Sequence, residues 1–204
     1  MHPTKLRFLF LMILFCLPIH AGAQCIEGDC IDGKGVMVSP ESGQYSGEFR
    51  DGKENGSGTF TFQDGSQYAG EFVDGERQGQ GTQTFTDGRT YSGTFQHDRI
   101  EGRGTLVLPD GEQYTGTFTD GLPDGRGVKT LPNGEQYEGN FRNGAPDGQG
   151  TYSYNDGAVY SGTWKNGKIT GPGTMTYPDG GKYTGGFNEG RPHGQGTYSF
   201  SNGS

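Results

Sequence analysis

The sequence predicts an all-β protein: an elongated single-layer antiparallel sheet of consecutive β-hairpins. Three observations carry that expectation. Tyr45, Tyr68, Tyr91, Tyr114, Tyr137, Tyr160 and Tyr183 follow one another at intervals of 23 residues, without a slip. Two residues after each tyrosine comes a glycine, and four after it an aromatic: Phe49, Phe72, Phe95, Phe118, Phe141, Trp164 and Phe187. Turn pairs such as Asp51-Gly52 and Asp64-Gly65 recur twice per interval. Strict self-similarity at a period of roughly 20–50 residues marks a repeat array, in which each unit buries its apolar surface against its neighbours.

Composition alone would point elsewhere. Glycine and proline make up 51 of 204 residues and only 28% of the chain is hydrophobic, which without a period would read as disorder. The aromatics keep phase with the glycines, and a solvated low-complexity tract has no physical reason to do so.

The first element is an export signal over residues 1–23. Lys5 and Arg7 precede an apolar run over residues 8–17, and Ala21-Gly22-Ala23 supplies a small-residue site, so cleavage is expected between Ala23 and Gln24. The run is shorter than the ~20 residues that a spanning helix needs. Lipidation at Cys25 fits less well, because Gln24 stands where a small residue is expected. An exported chain is expected in a periplasm or outside the cell, where Cys25 and Cys30 would pair as a local disulfide. Glu27 and Asp29 between them oppose the lowered thiol pKa that a redox pair requires.

Residues 24–44 read as a capping half-repeat. Gly33 and Gly35 fall 23 residues before Gly56 and Gly58, and an array end needs cover. Residues 45–204 then hold seven 23-residue repeats, the last cut short.

Within a repeat, Tyr45, Gly47 and Phe49 alternate with Ser46 and Glu48, and Gly58, Phe60 and Phe62 alternate with threonines. Period-two alternation puts each set on one face of a strand, and the turn pairs between them close hairpins. Glycine ordinarily weakens a strand. Here it leaves room for a cross-strand aromatic ring to lie over the backbone. Seven such hairpins give about 14 strands.

This arrangement, Tyr-x-Gly-x-Phe followed by Gly, Gly-x-Gly and Asp-Gly, resembles the MORN repeat, the membrane occupation and recognition nexus. The resemblance spans about 160 of the roughly 181 residues after the expected cleavage point. It implies a hairpin array and, from the family name, a membrane surface as one class of partner. Two departures stand out. Asp98 replaces the usual turn glycine in Gln96-His97-Asp98, and only His193 matches the histidine that relatives often carry before Gly-x-Gly.

No constellation for catalysis emerges. Gly79-Gln80-Gly81 is not followed by the helical periodicity of a phosphate loop, and His97 and His193 lie about four repeats apart. Glu101, Asp124 and Asp147 share one phase, but two strands separate neighbours, about 9–10 Å, too far to share a calcium ion. The aspartates mostly sit beside turn glycines, where local hydrogen bonding accounts for them. No enzyme activity, metal or cofactor is expected.

The expected role is therefore a non-catalytic exported module for protein interaction or scaffolding, its protein partner unidentified. Peripheral binding to an anionic lipid surface is the alternative, opposed by 14 basic against 24 acidic residues once Lys5 and Arg7 are removed. Nucleic acid is disfavoured on the same ground. Cell-wall glycan binding would need the aromatic ladder to form an open platform. An open sheet edge offers a further route, to an edge-mediated homodimer.

Overall fold

The computed structural model describes residues 22–201. Most of the expected leader falls outside them. The described residues form one antiparallel sheet whose spatial order is the chain order. β1 (Gln24–Gly28) and β2 (Lys34–Ser39) come first, then hairpins β3 (Gly43–Arg50)/β4 (Lys53–Phe62), β5 (Gln67–Val73)/β6 (Glu76–Thr84) and β7 (Thr90–Gln96)/β8 (Arg99–Val107). β9 (Gln113–Thr119)/β10 (Leu122–Thr130), β11 (Gln136–Arg142)/β12 (Ala145–Ser153), β13 (Val159–Lys165)/β14 (Lys168–Thr176) and β15 (Lys182–Asn188)/β16 (Arg191–Ser199) complete it.

The strand count is sixteen, two above the fourteen expected from the hairpins. The additional pair comes from residues 24–44. β2 carries Gly35 opposite Gly47 of β3, the same glycine-to-glycine register that joins β4 to β5 through Gly58 and Gly70. β2 therefore acts as the second strand of a repeat, and β1 is a five-residue remnant of the first.

Two turns alternate along the ribbon. The tight one places both central residues in the left-handed region, as at Asp51 (φ 50°) and Gly52 (φ 72°), the conformation a two-residue hairpin loop requires. His97 (φ 48°) and Asp98 (φ 64°) adopt it too, so the missing glycine changes the residue and not the turn. The longer turn is held by an aspartate: Asp64 Oδ1 accepts from the Ser66 hydroxyl at 2.7 Å and from Ser66 N at 2.9 Å, and these two bonds keep the Asp64 carboxyl below its ordinary range.

Within each hairpin the ladder is irregular. Gly47 pairs with Gly58 but Glu48 pairs with Asn55, so Gly56 and Ser57 have no partner on β3. Those two residues pair instead with Phe72 and Glu71 on the next hairpin. From β7/β8 onward the irregularity leaves one residue of the first strand unpaired, Thr94 in the first case, and the core is built around the carbonyl at that position.

Candidate binding groove

The aromatic face is a closed core. Each repeat tyrosine donates its hydroxyl to the carbonyl oxygen three residues on, from Tyr45 to Glu48 at 2.9 Å through Tyr183 to Gly186 at 3.3 Å. The acceptor lies at the ladder irregularity, and in the five hairpins from β7/β8 to β15/β16 it belongs to a residue with no partner on the second strand. A buried carbonyl without a partner would cost about 1–3 kcal/mol, so the hydroxyl offsets a defect that the hairpin itself creates.

The ring reaches that carbonyl by crossing glycine. A Cβ on Gly104 would come within 2.5 Å of Tyr91 Cζ, and one on Gly93 within 2.5 Å of Gly104 Cα. Each tyrosine also meets two aromatic rings edge-on, its own repeat's and that of the next hairpin, save Tyr183 at the array's end. Tyr91 lies 5.3 Å from Phe95 and 5.0 Å from Phe118, at interplanar angles of 79° and 82°. The chain of contacts runs unbroken from Phe49 to Tyr183, with Trp164 taking one phenylalanine position 4.9 Å from Tyr137.

Of the fourteen ladder residues, all but the partly covered Tyr183 are buried, Trp164 being the most exposed of these at 8%. Stacking a ligand on these rings would require opening the core. Burial pushes the hydroxyls of Tyr45, Tyr68, Tyr91, Tyr114 and Tyr137 up to about 12. Arg77 covers part of this face. Its guanidinium sits 5.6 Å from the Tyr68 ring and 5.3 Å from the Phe95 ring, and donates to Asp98 Oδ1 at 3.0 Å and Gln83 Oε1 at 2.9 Å.

Cys25 and Cys30 are joined by a disulfide with Cα atoms 5.9 Å apart. The acidic line secures the tight turns. Glu101 accepts from Asp120 N at 3.0 Å, Asp124 from Asn143 N at 3.1 Å and Asp147 from Asn166 N at 3.3 Å. Asp32 does the same for Asp51 N, so the carboxylate of one repeat holds the turn of the next.

The opposite face is polar and open. Alternation along the strands turns Thr82, Ser92, Thr105 and Thr115 away from the aromatic core. Their hydroxyls bond across strands, Thr82 to Ser92 at 2.8 Å and Thr105 to Thr115 at 3.0 Å. A groove of about 940 Å³ runs over this face from β6 to β11. Gln80, Arg103, Thr105, Thr117 and Arg126 line it, with Glu138 at one end. Arg103 and Arg126 are exposed, and among the described residues neither has a carboxylate within 4.0 Å. Sequence reading did not single out this groove. Its one signal was the appearance of arginine, twice in succession, between the two glycines of Gly-x-Gly.

A single sheet of stacked hairpins, one face closed by rings over glycine and the other hollowed and hydroxyl-lined, defines a solenoid-like β-hairpin repeat protein. A family model described as MORN repeat matches the chain seven times, over residues 45–67, 68–88, 91–113, 114–136, 137–159, 160–182 and 183–204. The chain belongs to the MORN-repeat family.

No curated protein matches the chain. Among solved structures, it is similar to the SAS-4 (dCPAP) TCP domain of Drosophila melanogaster, solved with a proline-rich motif of Ana2 (dSTIL). The identity is 15% and the TM-score 0.49, over 73% of this chain and 81% of that one. The G-box domain of the microcephaly protein CPAP gives 15% and 0.45, over 90% and 96% of the two chains. The wild-type TCP10 domain of Danio rerio CPAP gives 16% and 0.31, over 74% and 76%. Likenesses this distant bear on neither the partner nor the function of the chain.

Proposed function

We propose that the chain is a non-catalytic, exported scaffold that holds a protein partner on the polar face of its sheet. The groove over β6 to β11 carries this reading, because it is a concavity of about 940 Å³ on a face that the core leaves free. Its lining suits a protein ligand: hydroxyls to bond a backbone, and two guanidinium groups without a carboxylate partner to fix register.

Export is supported by the tripartite pattern of residues 1–23, and a disulfide between Cys25 and Cys30 suits an oxidising compartment. The absence of enzyme activity is proposed because the carboxylates of the acidic line are engaged in holding turns. A protein partner is favoured over glycan because the ladder rings are covered, and over anionic lipid because 14 basic face 24 acidic residues once the leader with Lys5 and Arg7 is removed.

The test is a pull-down from envelope extract at several salt concentrations, with the wild-type protein and the groove-filling variant Thr105→Trp. A discrete protein recovered by the wild type and lost by the variant supports the proposal. Recovery of nothing above background, or equal recovery by both, contradicts it.

A further inference from the structure

The geometry of the groove points to a narrower partner class, and we infer that Arg103 and Arg126 anchor an extended acidic peptide segment with two carboxylates three residues apart. This rests on the protein-binding reading of the same groove and gives that site its ligand chemistry.

The position between the two glycines of Gly-x-Gly reads Ser57, Gln80, Arg103, Arg126, Gln149, Pro172 and Gln195 along the array. At Gln80 and Gln149 the glutamine side chain is tied down: Gln80 Nε2 donates to Thr94 Oγ1 and Gln149 Nε2 to Thr163 Oγ1, each at 3.0 Å. The arginines face Thr117 and Asn140 across the strand and lie in the same groove without a carboxylate partner among the described residues. Along their own strands the neighbours on the same face are Thr105 for Arg103 and Val128 for Arg126, neither of them charged. Two planar forks of five donors each are thus presented to solvent, the donor geometry that takes carboxylates bidentately.

Spacing selects the ligand conformation. Arg103 on β8 and Arg126 on β10 are two strands apart, about 9.6 Å. In a β-strand, side chains on one face recur at about 6.7 Å or 13 Å, and neither fits. A polyproline-type chain has three residues per turn and a rise of ~3.1 Å, so residues three apart share a side at about 9.3 Å. In an α-helix acids three or four positions apart are only about 4.5–6 Å apart along the axis, and a match to the arginine spacing would need them seven apart.

Charge limits the length. Beyond the arginine pair stand Glu71, whose Oε1 accepts from Gln80 N at 3.1 Å, and Glu138 at the other end. A short diacid meets two cations, whereas a longer polyanion meets these carboxylates and an acidic chain.

The test uses the purified protein and fluorescent proline-rich peptides carrying two glutamates two, three or four positions apart, with a glutamine version of each, read by anisotropy. The three-position peptide is expected to bind about tenfold tighter than the others and than its glutamine version. R103Q or R126Q should each weaken it about fivefold or more, while R142Q, away from the groove, changes affinity less than about twofold. Glutamine already occupies this position at Gln80 and Gln149, so the variants keep a residue the fold accepts, and circular dichroism verifies it. Equal affinity across the peptides, equal loss in R142Q, or binding of vesicles with about one-third phosphatidylserine that R103Q abolishes would each overturn the inference. If the peptides fail while Thr105→Trp still loses a protein that R103Q retains, the scaffold reading stands and this inference falls.

Discussion

The Tyr91 hydroxyl donates to the Thr94 carbonyl at 3.1 Å while the ring lies against Gly104 of the facing strand. One residue thus fills the space two glycines leave and satisfies the carbonyl the ladder irregularity frees. Tyr91→Phe keeps the ring and removes the donor, so it should cost about 1–3 kcal/mol. Tyr91→Ala should cost about 3–5 kcal/mol, because the cavity is added. Urea unfolding of the two variants checks the order, and an unchanged stability in Tyr91→Phe would show that the hydroxyl bond contributes nothing.

Gly104 and Gly52 are both required, for different reasons. Gly104→Ala drives a methyl into the Tyr91 ring and should cost about 1–3 kcal/mol or more by overpacking. Gly52→Ala meets nothing within 4 Å but holds φ at +72°, so strain of about 1–2 kcal/mol is expected. A double-mutant cycle separates them: in a Tyr91→Leu background the cost of Gly104→Ala should shrink, and that of Gly52→Ala should not.

Alkali should unfold the array through its tyrosines. A phenol whose folded pKa is raised binds its proton more tightly folded than unfolded, so its contribution is complete below the unfolded value of ~10 and is lost above it. With five hydroxyls pushed to about 12, stability should fall steeply between the two values. Circular dichroism against pH, with tyrosinate absorbance in parallel, checks this. Full ionisation at ordinary phenol pKa with the fold intact would contradict it.

Arg77 is a substitution within the repeat that the array has accommodated. The equivalent position one repeat on is Ile100, and Gln83, which Arg77 bonds, corresponds to Leu106. Arg77→Ala should cost about 1–3 kcal/mol, from lost cation–π contacts and an unpaired amide at buried Gln83. The pair Arg77→Ile with Gln83→Leu reproduces the neighbouring repeat and should recover most of the loss, measured as the thermal midpoint.

Much of the fold was legible because its determinants are periodic and local. Tyr-x-Gly-x-Phe fixes the buried face, and Asp51-Gly52 with Asp64-Gly65 fixes the reversals. Two further strands escaped because residues 24–44 keep the Gly-x-Gly phase and lack the tyrosine. The tyrosine hydroxyl bond was hidden for a different reason, since its acceptor is a backbone carbonyl whose freedom depends on register. Glu101, Asp124 and Asp147 were visible as a line, but their bonds to the next turn depend on how hairpins stack. Arg103 and Arg126 occupy a position where the repeat accepts serine, glutamine or proline, so their succession was the one mark they left in the sequence.

The central claim is that one face of the ribbon is core and the other receives the partner. Photocrosslinking from a benzophenone side chain placed at Thr105, in the groove, or at Leu106, its neighbour on the aromatic face, tests it directly in living cells. A discrete protein adduct is predicted from position 105 and none from position 106. An adduct from position 106 alone would contradict the assignment of faces.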